Sequence, residues 1–221
     1  MKTVLQNKLP GKFIVLDGPD GCGKSTQSAM LAKYLQDAGV ETASFRDPGT
    51  TAIGEKIREI LLNPAHDKMD LRTEVLLYMA ARAQLWKENI APAIAAGKCV
   101  ILDRWLSSTC AYQGYAGGLG IDHVIKLACC SLERLWPDLT FILDVDLDIS
   151  GSRLKNLPDR MEQKGKDFHQ KVRQGFLEFA TVEKHHIVVI NAQSDIEKIH
   201  RHIIDIINQA EFDPEKTRLK S

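Results

Sequence analysis

Five short apolar runs recur along the sequence: Phe13–Leu16, Thr42–Phe45, Cys99–Leu102, Thr140–Val145 and Ile187–Ile190. Each is nearly continuous rather than alternating, the pattern of strands buried on both faces of a parallel sheet. Helical patterns fill the intervals, at 24–38, 52–62, 71–96, 121–135, 165–183 and 194–210. This alternation predicts an α/β three-layer fold, with a five-stranded parallel sheet flanked by helices and right-handed crossovers. A chain of 221 residues with 44% hydrophobic content is long enough to bury a sizeable core. No repeat, low-complexity linker or composition break divides it, so a single domain over 1–221 is expected, with a polar tail from Asp213 to Ser221.

Lys plus Arg number 29 and Asp plus Glu number 29, so the chain carries no global basic field and is not expected to bind nucleic acid. Phosphate binding, if present, must be local. The cysteines at 22, 99, 110, 129 and 130 have no CxxC spacing and read as reduced, buried thiols, which fits a cytoplasmic location. The opening MKTVLQNKLPGK has no following h-region, so no signal peptide is expected. No apolar stretch is long enough to predict a membrane span.

The first strand runs into a glycine-rich loop. Gly18-Pro-Asp-Gly-Cys-Gly23-Lys24-Ser25 fits GxxxxGK[ST] between a strand and a helix, the context the motif needs. Glycines turn backbone N–H groups inward to cradle phosphate oxygens, and the helix N-terminus adds its positive dipole end. Lys24 supplies a full charge to the β- and γ-phosphates, and the Ser25 hydroxyl can ligate Mg²⁺. The loop Gly18, Pro19, Asp20, Gly21, Cys22, Gly23, Lys24, Ser25 and Thr26 is therefore expected to bind ATP. The third run ends in Asp103-Arg104-Trp105, at the sheet edge where a carboxylate can meet metal or water, so Ser25 and Asp103 are the expected Mg²⁺ ligands. No NKxD base-reading motif appears, which argues against a GTPase. The pair His185-His186 lacks a third ligand and reads as surface. The polar stretch between Ile149 and Gly165 is either a mobile flap over the site or an ordinary solvated loop.

Beyond the loop, several ordered segments resemble the thymidylate kinase family along nearly the whole chain. Phe45-Arg46-Asp47-Pro48-Gly49-Thr50-Thr51 is similar to its REPGGT segment, and Leu77 to Gln84 to its aromatic-x-x-x-Arg helix. Asp103-Arg104-Trp105 through Ser108-Thr109 and Ala111-Tyr112-Gln113-Gly114 resembles DRY…S…AYQG. Pro137-Asp138-Leu139-Thr140 with Leu143-Asp144-Val145 resembles PDLTxxLDV, and Asp159-Arg160-Met161-Glu162 resembles the DRxE of the lid. The chain departs from the pattern at Asp47 (usually Glu), Thr50 (usually Gly) and Trp105 (usually Tyr or Phe). Its lid offers few cations: Arg153, Lys155 and Arg160.

The resemblance implies a P-loop kinase fold with a short lid at about 149–165, and transfer of a phosphoryl group from Mg-ATP to dTMP in dTTP biosynthesis. It implies catalytic roles for Lys24, Arg104, Arg160 and Arg153. Arg46 and Arg104 would hold the dTMP phosphate, and Tyr78 and Arg82, four apart on one helical face, would stack on thymine and donate to its O4. Ser108, Thr109, Tyr112 and Gln113 would complete the acceptor site. Asp20 would meet the 3′-hydroxyl, with Tyr112 crowding out a ribose hydroxyl. Some members carry a basic residue where this chain has Gly21, so the transition-state cation is expected from the lid. A homodimer is also implied. A deoxynucleoside kinase on the same fold and a catalytically idle nucleotide-binding module are the alternatives.

Overall fold

In a computed structural model, residues 2–153, 159–182 and 187–212 are described. Five strands form one parallel sheet: β1 (Phe13–Asp17), β2 (Thr42–Arg46), β3 (Cys99–Asp103), β4 (Leu139–Asp144) and β5 (Ile187–Asn191), in the spatial order β2-β3-β1-β4-β5. The central strand explains the apolar runs. Ile14 and Leu16 of β1 and Cys99 and Ile101 of β3 point into one core layer, while Phe13 and Val15 and Val100 and Leu102 point into the other. Period-two alternation thus puts an apolar residue on both faces at every position. The edge strands differ: β2 and β5 are only partly buried, because an edge has one neighbour and thinner helical cover.

One core layer packs α2 (Lys24–Asp37) and α10 (Ile196–Gln209) against the sheet through Leu31, Leu35, Ile199, Ile203 and Ile207. Onto it docks α1 (Lys2–Lys8), an element the sequence reading passed over. Its Leu5 and the following Leu9 are buried, and Lys8 Nζ donates to the final carbonyls Ile207 O and Asn208 O of α10 at 2.9 and 3.0 Å. These carbonyls lack partners within their own helix, so a lysine there satisfies them.

The other layer holds α3 (Ala52–Leu62), α4 (Leu71–Leu85), α5 (Ala91–Ala95) and α7 (Ile121–Ser131). The expected helix over 71–96 is continuous in course, but its hydrogen bonding widens to a π turn at Trp86–Ile90. Pro92 follows, and a proline both lacks an N–H and crowds the carbonyl four residues back. A second unforeseen helical stretch, α6 (Leu106–Thr109), runs into a π segment at Cys110–Ala116 that carries Tyr112 and Gln113. The stretch expected as a lid overlaps a helix, α8 (Leu147–Arg153), and its Asp159–Glu162 end precedes α9 (Lys166–Val182); residues 154–158 lie outside the described residues. Of the cysteines, Cys22, Cys99 and Cys110 are buried as expected. Cys129 and Cys130 are exposed, correcting that expectation, because they ride the outer face near the end of α7. His185 and His186 lie outside the described residues.

Gly175 lets α9 lie directly on the π segment: a Cβ there would sit 2.8 Å from Tyr115 Cβ and 3.0 Å from both Ala111 Cα and Ala111 O. Gly175→Ala should therefore destabilise the protein by about 1–3 kcal/mol, since backbone atoms cannot yield as a side chain would. Urea unfolding at matched m-value measures it. An unchanged midpoint would show that the two segments have slack.

Candidate active site

Every strand ends in a polar residue on the same sheet edge: Asp17, Arg46, Asp103, Asp144 and Asn191. In a parallel sheet this carboxyl edge is where ligands bind. Asp17 is completely buried and accepts from Gly18 N (2.9 Å), Trp105 N (3.2 Å), Ser108 N (3.0 Å), Ser107 Oγ (2.5 Å) and Ser108 Oγ (2.6 Å). It ties the exit of β1 to the exit of β3.

The loop after β1 wraps inward through glycines. At Gly18 (φ 139°) a Cβ would meet Leu143 O at 2.5 Å, and at Gly21 (φ 75°) it would meet Ser150 O at 2.4 Å. Helix α8 therefore packs directly against Gly21, and a basic side chain has no room there. Lys24 is buried, with Nζ donating to Gly18 O (3.0 Å) and Pro19 O (2.8 Å). Ser25 Oγ donates to Asp103 Oδ2 at 2.6 Å. A hydroxyl beside a carboxylate is a hard-oxygen donor set that suits Mg²⁺, which also takes water and substrate phosphates. Among the described residues no larger cluster of His, Cys, Asp or Glu gathers to hold a metal.

The cavity at this loop is lined from Asp20 to Gln27, and by Arg46, Arg58, Asp103, Arg104, Arg153 and the 194–197 turn. A second cavity is lined by Asp47, Tyr78, Arg82, Ser108, Thr109, Tyr112, Gln113 and Met161, among others. Three side chains line both: Asp20, Arg58 and Arg104.

Arg104 is held in the left-handed region (φ 70°), a conformation that costs a non-glycine residue about 1–2 kcal/mol. Its guanidinium donates to Gly18 O (3.2 Å) and Ser108 Oγ (2.8 Å) and pairs with Asp20. Tyr112 Oη donates to Asp20 Oδ2 at 2.6 Å. Burial alone would raise the Asp20 carboxyl, but Arg104, Lys24 and the Tyr112 hydroxyl overcome it and hold the group at about 2. Burial first, and Asp20 second, push the Tyr112 phenol well up, so it stays a donor. Its ring is gripped edge-on by Phe168 and Phe176 of α9, with centroids at 6.3 and 6.1 Å.

Arg82 is 1% exposed and already heavily engaged: Nε donates to Asp47 Oδ2 at 2.8 Å, and Nη2 to Trp105 O and Thr109 Oγ1 at 3.1 Å each. The Trp105 ring lies 5.1 Å beneath it. The other Asp47 oxygen, Oδ1, is buried with no hydrogen-bond partner on the wall of the second cavity. Tyr78 lines that cavity rather than the core, and burial raises its phenol well above the usual range.

Two expected cations sit elsewhere than foreseen. Arg160 does not close over the loop. It is buried, with Nε donating to Leu61 O at 2.7 Å and Nη2 lying 2.6 Å from Glu74 Oε2, a charge contact set off the N–H direction. A guanidinium desolvated between helices needs that carboxylate, which outcompetes an open cavity. Arg46 lines the loop cavity but not the second one, half exposed and paired with Glu55 at 3.0 Å. Arg58, which sequence reasoning missed, occupies the shared wall, with Nη1 donating to Pro48 O at 3.1 Å. Its one available signal was its place, one turn beyond Gly54 on the helix that follows the Arg46–Thr51 segment. Arg153 of the lid does reach the loop, with Nη1 3.5 Å from Gly21 O and 3.4 Å from Ala192 O. Lys155 lies outside the described residues.

A phosphate loop that shares one wall of charged side chains with a second cavity is the layout of a P-loop kinase, in which donor and acceptor meet. Comparison with known proteins narrows the class. The family model described as thymidylate kinase matches residues 16–203. The chain is 43% identical over 206 residues to a thymidylate kinase of Lactobacillus acidophilus, covering 91% of this chain and 95% of that protein. It is 41% identical over 195 residues to one of Geobacillus sp. strain WCH70, covering 86% and 93%. A crystal structure of thymidylate kinase from Ehrlichia chaffeensis superposes with a TM-score of 0.74 at 31% identity, covering 90% of this chain and 99% of that one. The chain belongs to the thymidylate kinase family.

The Asp20 pairing has a pH signature. A carboxyl whose folded value lies below its unfolded value of about 4 contributes stability above pH 4 and loses it as pH falls toward 2. Wild type should exceed Asp20→Asn by about 2 kcal/mol at pH 7 in urea unfolding, with the gap closing between pH 4 and 2. A gap independent of pH would overturn the pairing.

Proposed function

We infer that the protein transfers the γ-phosphoryl group of Mg-ATP to the phosphate of dTMP, giving ADP and dTDP. One observation carries the reading: Asp20, Arg58 and Arg104 line both cavities, so that a triphosphate on the loop and a monophosphate beside Tyr78 meet at a cationic wall. The acceptor needs no general base. A phosphate monoester has a second pKa near ~6 and is already a nucleophilic dianion at pH 7. One of its oxygens attacks the γ-phosphorus while the bond to the β–γ bridging oxygen breaks.

The chain's residues position these groups and balance their charge. Backbone N–H groups of residues 21–25 and Lys24 hold the donor phosphates. Arg104 and Arg58 hold the acceptor phosphate, which takes the place of Asp20 as Arg104's partner, freeing that carboxylate for the 3′-hydroxyl. Tyr78 stacks on the base, and Tyr112 fills the space a 2′-hydroxyl would need. Ser25 and Asp103 would hold Mg²⁺, which when bound neutralises phosphate charge. Arg153, the described lid cation nearest the loop, supplies transition-state charge in place of Arg160.

A homodimer fits the apolar residues Ile53, Ile60 and Leu76, which are 53%, 41% and 56% exposed on the packed pair α3 and α4. No helix among the described residues is long and apolar enough to cross a membrane, and we place the enzyme in the cytoplasm.

ADP release with Mg-ATP and a panel of monophosphates tests the reading: dTMP should be the preferred acceptor, and silence with every nucleotide would overturn it. Lys24→Ala should lower kcat by more than tenfold, above about 1.4 kcal/mol in barrier. Arg153→Ala should lower kcat more than it raises either KM, whereas Arg58→Ala should raise KM for dTMP more than for ATP. The reverse pattern would exchange their roles.

A further inference from the structure

Glu74 lies on α4 one turn before Tyr78, is 2% exposed and lines neither cavity. Its carboxylate is divided between two partners. Oε1 accepts from Gln113 Nε2 at 2.6 Å, and Oε2 faces Arg160 Nη2 at 2.6 Å. Gln113 is 1% exposed and does line the acceptor cavity.

A primary amide has two ends of nearly equal size and opposite character: the NH₂ donates and the carbonyl accepts. Left free, it can turn over and serve a donor or an acceptor. A carboxylate held against a guanidinium only accepts, so Glu74 captures the NH₂ end. We propose that Glu74 is a specificity-determining positioning residue: by fixing the amide, it leaves Gln113 Oε1 as the atom presented to the base. The cavity then selects a pyrimidine that donates at N3, as thymine and uracil do, over cytosine, whose N3 is an acceptor. Two acceptors opposed in a water-poor site leave both unpaired, and such mismatches discriminate far better than shape does. Arg160 fixes the carboxylate in turn from the lid side. This role rests on the reading of the second cavity as the site of a nucleoside monophosphate.

The test is the ratio of kcat/KM for dTMP to that for dCMP. In Glu74→Gln the partner can donate as well as accept, so the Gln113 amide is free to turn, and the ratio should fall about tenfold. Arg160→Lys disturbs the same ion pair but keeps a cation beside the carboxylate, and so an acceptor on Gln113, so it should preserve the ratio whatever happens to kcat. If E74Q fails to fold with Arg160 stranded, the double variant E74Q/R160M strands no charge and carries the same prediction. An unchanged ratio in these Glu74 variants, or an equal fall in Arg160→Lys, would overturn the proposal. Wild type that phosphorylates neither nucleotide would instead overturn the acceptor assignment. Wild type that prefers dTMP, with E74Q equally selective, defeats only the role of Glu74.

Discussion

At the carboxyl end of the central strand, one fully buried carboxylate, Asp17, gathers three backbone amides and two hydroxyls from two separate strand exits. An unpaired carboxylate at that depth would cost several kcal/mol, whereas this one has its lone pairs filled. The consequence is geometric. The start of the phosphate loop and the turn Arg104–Ser108 move as one body, and Arg104 is kept in a backbone conformation it would not choose alone. The shared wall of the two cavities therefore hangs on a group that lines neither of them. The same arrangement explains why Ser107 and Ser108 are consecutive: both hydroxyls are consumed by Asp17, and Ser108 also accepts from Arg104.

The lid is anchored on both sides by buried or half-buried charge. At its entry, Arg173 of α9 donates to both Asp144 oxygens, at 2.6 and 2.8 Å, and to Asp146 at 3.3 Å, fixing the strand end from which α8 springs. At its exit, Arg160 is tied to Leu61 O and Glu74, on the two helices α3 and α4 that supply Arg58 and Tyr78 to the second cavity. Between these anchors, α8 at Ser150 sits on Gly21 so closely that no side chain fits between. The described residues of this segment thus touch both cavities' surroundings, the loop cavity through Gly21 and Arg153 and the flank of the second through Arg160.

Much of this was legible along the chain. The apolar runs marked all five strands to within a residue or two at each end, since burial on both faces leaves a continuous apolar signature. The loop Gly18–Ser25 was readable because its glycines and lysine act locally. Helical spacing put Tyr78 and Arg82 on one face, but only the family resemblance marked them as candidate site residues; spacing alone would leave Tyr78 a core residue and Arg82 a surface charge. The two π segments were not legible, because a widened hydrogen-bond turn has no composition of its own. Nor was α1, whose Leu5 and Leu9 look unremarkable until α10 offers them a surface.

The sequence by itself determined the parallel sheet, the phosphate loop and the family, since each rests on residues close together in the chain and on local backbone preferences. Only the tertiary structure decided which cations line the two cavities. Arg46, Arg58, Arg153 and Arg160 are equivalent as letters, but Glu74 draws the last away from both cavities, Glu55 pairs the first at the rim of the loop cavity, Arg153 lines that cavity too, and only Arg58 of the four lines both. Charges are allotted by whichever carboxylate lies nearest once distant segments are packed, and a desolvated guanidinium goes to the partner that repays its lost water.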